Sequence, residues 1–266
     1  MVSSVLRWPG MRSLHARIPP DEGPTVTGPQ QVGVSFAAHR GVVLERDGRA
    51  ARLDIRPGDV FANGRDHLYW SEVAGPDEVV EIYPDAALLR AAAGTSRTPE
   101  IEPLAGARDA VVLAVASTLK RAHLRPGSLG DVAASELAHR LAAHLVTYYG
   151  GRRASRPPTG CLDRVQLDRV AALVEDRLGD PLTVADLAAA ATLSPFHFAR
   201  SFRLSTGMAP HEFVTSRRLD RATLLLRHTT LSVAEVAYAV GYSNVGHFRR
   251  LFRRHTGILP AAARSR

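Results

Sequence analysis

The sequence predicts an α+β protein in two parts: a small antiparallel β-barrel or sandwich with helices after it, then an all-α domain carrying two helix-turn-helix units joined by a long helix. Three observations predict it. Short β-prone runs separated by turn residues fill the stretch from Val32 to Pro84. From Arg108 onward, apolar residues recur three and four apart, the period of a helix with one buried stripe. A short phrase is also written twice: FHFARSFRLSTGMAP at 196–210 and GHFRRLFRRHTGILP at 246–260 agree at eight of fifteen positions.

The strand region begins with VGVSF and GVVLER, then an Asp47-Gly48 pair, then RAARLDI. Asp-Gly between two β-prone runs is a hairpin signal, because the tight turn needs positive φ. RPGD at 56–59 is a second turn, followed by VFA, HLYWSEV and EVVEIYP. Many short strands at close spacing give a barrel over about 30–100. ARDAVVLAVASTLKRAHL and LGDVAASELAHRLAAHLVTYY then read as helices within about 106–149, each with one buried stripe. GGRRASRPPTG has a linker's composition, so the domains are placed at 1–150 and 164–266, with 151–163 between them.

After the linker the punctuation is helical. Thr183 precedes Asp186, and Ser232 precedes Glu235, by three residues, which is the spacing of a capping box. Ser194 before Pro195 is an N-cap with proline at the first helical position, and Ser243 is expected to cap the second copy. Gly207 and Gly257 supply left-handed residues after helices, and Pro210 and Pro260 restart the chain. LTVADLAAAATLS at 182–194 matches LSVAEVAYAVGYS at 231–243 at an offset of 49, and one extra residue before His247 makes it 50. The first helix-turn-helix therefore spans about 183–207, the second about 232–257, and a helix at 210–228 links them.

Charge points to a partner. The formal net charge is +8 with a sequence pI near 10.4, and residues 164–266 hold 15 Arg against 8 acidic residues. A polyanion such as double-stranded DNA fits a basic module attached to a nearly neutral one. In the first copy Phe198 and Phe202 lie four apart and turn inward under Leu187 and Ala188. Phe196, Ala199, Arg200 and Arg203 are left facing outward. In the second, Phe248 and Phe252 go inward, leaving Val245, Gly246, Arg249, Arg250 and Arg253 outside. A major-groove helix needs this division, because arginine reaches guanine edges and phosphates. The link helix, at 1.5 Å per residue, is nearly 30 Å long, against about 34 Å for one turn of B-DNA. One chain can then read two adjacent groove segments.

These residues resemble the DNA-binding domain of the AraC/XylS family of bacterial transcription regulators, over residues 164–266. The resemblance rests on A-x-x-A within LTVADLAAAATLSPFHFARSF, G-x-x-P at Gly207 to Pro210, and R-L-x-x-A from Arg218 to Ala222. It also rests on AEVAYAVGYSNVGHFRRLFRRHTG, which ends in a second G-x-x-P at Gly257 to Pro260. The resemblance implies base contacts from Phe196, Ala199 and Arg200, and from Val245, Gly246, Arg249 and Arg250, with Arg203, Arg218 and Arg253 in the DNA-binding set. Two residues depart from the family pattern: Gly246 stands where a small polar residue is usual, and Ala263 where an aromatic is. Phe196, Ala199 and Val245 offer no hydrogen bonds, so contact with thymine methyls or shape reading is expected there. Residues 32–84 look like the cupin-type sensor domain of such regulators. That implies a small-molecule effector, pairing of two subunits through the following helices as a homodimer, and RNA polymerase as a further partner.

A metal-dependent cupin enzyme would show an H-x-H pair, whereas His39 and His67 stand alone. No Ser-His-Asp grouping or phosphate-binding glycine loop is recognisable, so no cofactor, no metal and no enzymatic activity is expected. Phe61, Tyr69 and Trp70 are candidates for lining an effector pocket, set against core packing for at least two of them. Cys161 is the single cysteine, which excludes an internal disulfide framework and reads as an incidental thiol rather than a redox sensor. The start MVSSVLRWPG lacks the apolar core of a secretory signal, and no run is long enough to cross a bilayer. A cytoplasmic, membrane-free setting is expected. Two other readings remain open at this point: a cupin-type enzyme with an appended nucleic-acid-binding domain, and a sequence-indifferent chromosome-coating protein.

Overall fold

The computed structural model describes residues 2–18, 25–27, 30–46, 49–64, 68–71, 77–150 and 160–264. The chain falls into two compact units, Met1–His123 with Leu129–Thr159, and Leu124–Ser128 with Gly160–Arg266. Among the described residues no helix is long and apolar enough to cross a membrane.

The first unit is α+β. Its strands, in chain order, are β1 (Val2–Trp8), β2 (Met11–Ile18), β3 (Thr25–Thr27), β4 (Val32–Ser35), β5 (His39–Arg46), β6 (Arg49–Ile55), β7 (Asp59–Ala62), β8 (Leu68–Ser71), β9 (Asp77–Pro84) and β10 (Leu104–Arg108). They form a six-stranded sheet, β1-β2-β9-β4-β7-β10, and a four-stranded sheet, β3-β8-β5-β6. No ladder among the described residues joins the sheets into a closed barrel. β5 and β6 pair antiparallel up to Arg46 opposite Arg49. The Asp47-Gly48 turn itself lies outside the described residues.

Strands begin thirty residues earlier than the sequence pattern predicts. β1 and β2 form a hairpin closed by Trp8 opposite Met11, with Pro9 leading into Gly10 at φ +86. Proline followed by a positive-φ glycine is the demand of a type II turn, and this dipeptide was the available signal. Period-two reading misses β2 because its inward positions are polar: Ser13 and His15 are buried beside Met11. They are tolerated there because they are paired. His15 Nε2 lies 3.0 Å from Glu78 Oε1, and Lys120, the only lysine, sits 3.5 Å from Glu78 Oε2 and 4.0 Å above the Phe36 ring. His123 holds Ser4 and Ser13 hydroxyls on its two ring nitrogens, at 2.6 and 2.8 Å. Burial, with the nearby His15, pushes the His123 imidazole down to about 4.

Helix α1 (Ala86–Ala93) and strand β10 also fall outside the sequence expectation, which placed helices from about 106. β10 breaks its own pattern with a bulge at Gly106, φ +69. Helix α2 (Ala110–Leu124) is buried continuously from Ala110 to Ser117, so the single-stripe reading is corrected: it is covered all round. Helix α3 (Asp131–Tyr149) keeps a stripe at Ala134, Ala138, Leu141, Ala142 and Leu145. Asp109 ties the two together. One carboxylate oxygen accepts the amides of Val111 and Val112, and the other accepts His144 Nε2 and the Tyr149 hydroxyl, both at 2.6 Å. Burial alone would raise its pKa; the charge and hydrogen bond of His144, with the other donors, outweigh that and hold it at about 2.

The second unit is all helix: α4 (Arg164–Asp176), α5 (Val184–Ala190), α6 (Pro195–Thr206), α7 (Pro210–His228), α8 (Val233–Ala239), α9 (Val245–Thr256) and a closing 3-10 turn (Pro260–Ala263). Around α7 sit two cores. Phe198 and Phe202 are fully buried, and the Phe202 ring meets Phe213 edge-on at 5.4 Å. On the other side Phe248 and Phe252 join Leu219, Ala222, Leu226, Val236, Ala237 and Val240. Ala263 is buried in that second core.

Candidate nucleic-acid interface

Each module is set by its caps. Thr183 with Asp186, and Ser232 with Glu235, form reciprocal capping boxes at the starts of α5 and α8. Hydrogen bonds from the cap residues hold both carboxyls below the usual carboxylate range: the Thr183 amide, then its hydroxyl, at Asp186, and the Ser232 side chain, then its amide, at Glu235. Ser194 accepts the His197 amide at the start of α6. In the second copy that position belongs to Asn244, whose side chain accepts the His247 amide at 2.8 Å. The Ser243 cap is therefore corrected. The extra residue lies in the turn before the cap, and Ser194 corresponds to Asn244 at the offset of 50 that governs the whole helix.

The turns differ in chemistry. Both pass through the left-handed region, at Gly241 with φ +81 and at Thr192 with φ +58. Glycine reaches it without strain, while a β-branched residue there is a genuine outlier. The helix ends match: Gly207 and Gly257 both sit at φ +79. The hydroxyls of Thr206 and Thr256 bond back to the carbonyls of Phe202 and Phe252.

With the phenylalanines inside, the outward faces are defined. On α6, Phe196 is 77% exposed, Arg200 and Arg203 are exposed, and Ala199 is half-buried. On α9, Gly246, Arg249, Arg250 and Arg253 are exposed, while Val245 is half-buried against the second core. Sequence reasoning passed over three exposed residues on these faces. Arg254 follows Arg250 by four, and His197 and His247 occupy equivalent places near the two N-termini. Arginine spacing and the repeat itself were the signals for them.

Arg218 is placed apart from this set. Its Nε donates to the Leu178 carbonyl at 2.9 Å, one terminal nitrogen to Asp180 O at 2.6 Å, and the other to Gly241 O at 3.5 Å. Its neighbour Arg217 is fully buried, with Nε 2.6 Å from Glu175 Oε1 on α4 and a terminal nitrogen 3.5 Å from Asp220. His255 of α9 reaches the same Asp220 at 3.1 Å.

In the first unit, Phe61 is buried against Val42, Leu53 and Ile55 of the other sheet. Tyr69 and Trp70 lie on β8, and their side chains are outside the described residues, as is His67. His39 is buried. Cross-strand partners share a face. Phe61 opposite Gly33, Gly33 opposite Glu81, Leu14 opposite Glu81, and Arg12 opposite Tyr83 thus place these residues on the side that meets the second sheet. The Arg12 guanidinium lies 3.8 Å from the Tyr83 ring centre, and the Tyr83 hydroxyl donates to Glu81 at 2.7 Å. Burial, then the Glu81 bond, pushes the Tyr83 phenol well above its ordinary value. A Cβ built on Gly33 would meet nothing within 4 Å. Among the described residues no group of three His, Cys, Asp or Glu side chains is placed to hold a metal.

A family model described as a helix-turn-helix domain matches residues 187–266. The HTH-type transcriptional regulator MtrA of Neisseria gonorrhoeae is 34% identical over 109 residues, covering 40% of this chain and 36% of that protein. The MmsAB operon regulatory protein of Pseudomonas aeruginosa is 36% identical over 107 residues, covering 40% of this chain and 34% of its own. The aligned stretch is thus only about a third of each curated relative's length. A crystal structure of the DNA-binding domain of AdpA, the global transcriptional factor, in complex with a target DNA, shares 36% identity over 39% of this chain and 92% of that one, with a TM-score of 0.36.

Proposed function

We propose that this chain, whose C-terminal domain belongs to the AraC/XylS type of helix-turn-helix domain, is a cytoplasmic, sequence-specific DNA-binding transcription regulator. Residues 164–266 lay α6 and α9 in successive major-groove segments of one duplex. The observation that carries this reading is the matched pair of capped modules on one 19-residue helix, each with phenylalanines buried and arginines exposed. Arg200, Arg249 and Arg250 reach guanine edges, where a bidentate contact is worth about 1–3 kcal/mol of discrimination. Arg203 and Arg253, a turn further along, take phosphates. Gly246 lets the backbone of α9 approach the groove closely.

Residues 1–150 form the sensing part, a cupin-like arrangement of two sheets that takes a small-molecule effector between them. The inner face supports this: Gly33, opposite Phe61, leaves open space, and Glu81, Tyr83 and Arg12 carry hydrogen-bonding groups on the same face of the next two strands. Effector occupancy biases the pairing of two subunits and so the action of the DNA-bound protein on RNA polymerase. Footprinting of the full chain on selected duplexes tests the DNA reading: protection of two groove segments per protomer is expected, and a single segment rejects it. Gly33→Trp is expected to abolish the effector response while leaving basal DNA affinity unchanged.

A further inference from the structure

We propose that Arg218 is a positioning residue that sets the distance between the two DNA segments read by one chain; the inference rests on the double reading above. The two modules touch at a seam made of backbone. Gly179, in the loop between α4 and α5, belongs to the first module, and Gly241, in the turn between α8 and α9, to the second. A Cβ on Gly179 would stand 2.9 Å from the Ala239 carbonyl oxygen, and a Cβ on Gly241 would stand 3.1 Å from that of Gly179. Backbone segments this close leave no room for a side chain at either glycine.

Arg218 lies across that seam from α7. Two of its bonds go to the first module's loop, at Leu178 and Asp180. The third goes to Gly241 of the second module, and the guanidinium lies 5.9 Å from the Tyr242 ring centre. A planar fork with five donors in fixed directions can hold two loops at one separation, whereas a lysine ammonium offers a single point. On the same helix, Arg217 with Glu175, Asp220 and His255 anchors α4 and α9. Arg217 therefore fixes where each module attaches, and Arg218 fixes how they lean on each other. Successive base pairs are about 3.4 Å apart along the duplex, so a tilt that moves one recognition helix by a few ångströms admits the next spacing.

The full chain is used to select sites from random-sequence duplexes, and the same pool is run with Arg218→Ala and Arg218→Lys. The wild type is expected to return two half-motifs at one separation. Both variants are expected to return the same half-motifs spread over neighbouring separations, with affinity for the wild-type site lower by about tenfold as the two contacts lose their mutual effective concentration. A merely structural role would lower thermal stability and overall affinity while leaving the separation fixed; that outcome, in a variant folded by circular dichroism, overturns the proposal. If Arg218→Ala does not fold, Arg218→Lys, which keeps the charge and the stem but loses the planar fork, carries the test alone, and an unchanged separation there overturns the proposal equally. A wild-type pool with only one half-motif would instead sink the double reading itself.

Discussion

The two helix-turn-helix modules share a scaffold and differ in what they present. Aligned at the offset of 50, the outward stripe of α6 runs Phe196, Arg200, Leu204, and that of α9 runs Gly246, Arg250, Arg254. Next to it, Ala199 and Arg203 face Arg249 and Arg253. The first helix thus carries two exposed arginines with an exposed phenylalanine and a 47% exposed leucine, and the second carries four exposed arginines. The two copies keep the buried phenylalanines and capped helix starts that decide folding, share Arg200 with Arg250 and Arg203 with Arg253, and differ outside at Phe196 against Gly246, Ala199 against Arg249 and Leu204 against Arg254. We expect the second module to supply most of the charge-driven affinity, and the first to add discrimination that salt does not screen.

The largest effects should be the ones the modules have in common. Phe198→Ala and Phe248→Ala each remove a fully buried ring and should cost about 3–5 kcal/mol of stability in denaturant melts. A silent result for either would mean that its module is not held by the core described. The next effect separates the modules. Arg250→Ala should cost about 1–3 kcal/mol of binding, concentrated at particular base pairs, and a loss spread evenly over unrelated DNA would reject base reading by that side chain. Arg254→Leu, which gives α9 the residue of α6, should reduce the salt dependence of binding by about one phosphate contact, near 0.9 in the log–log slope. Smaller still are the turns, and there the signs oppose. Thr192→Gly should stabilise by up to about 1 kcal/mol, less the greater chain entropy of glycine, because it relieves a β-branched residue at positive φ. Gly241→Ala should destabilise, since its methyl would sit 3.0 Å from the Arg218 guanidinium carbon. Equal responses at the two turns would show that the strain at Thr192 is absent in solution.

The same contrast explains what was legible from sequence. The helical half was readable because its signals are local: caps three residues from a carboxylate, glycines at helix ends, phenylalanines four apart. The exception, Ser243 for Asn244, came from aligning the repeat one residue out of step inside the turn, where neither periodicity nor capping constrains the register. The first unit was less readable because its pairings are distant. Ser13 and His15 spoil the alternation of β2, and only contact with Glu78 and His123, over sixty residues away in sequence, makes them buried residues. α2 looked striped, yet it is covered on every side, which no single-helix pattern distinguishes when small residues fill the gaps. Arg218 read as one more arginine facing DNA. Its three carbonyl partners lie 23 to 40 residues away, and nothing local announces them.

The smallest predicted effect tests the comparison most directly, because it concerns the residue that most sets α6 apart. Phe196 stands 77% exposed near the N-terminus of its helix, where an apolar ring in water has no structural work to do. Against a thymine it would bury the 5-methyl group, a gain of roughly 0.8 kcal/mol for one carbon, or about fourfold in Kd. Replacing each thymine of the first half-site by uracil in turn removes only that methyl. One position should then weaken wild-type binding about fourfold and leave Phe196→Ala unaffected, while uracil in the half-site under α9, at Gly246, should change nothing. 5-Methylcytosine opposite guanine at the sensitive position should recover part of the loss relative to cytosine. If no uracil substitution is felt, or if Phe196→Ala remains as sensitive as the wild type, the exposed ring does not read methyl groups, and the divergence of the two stripes is one of charge alone.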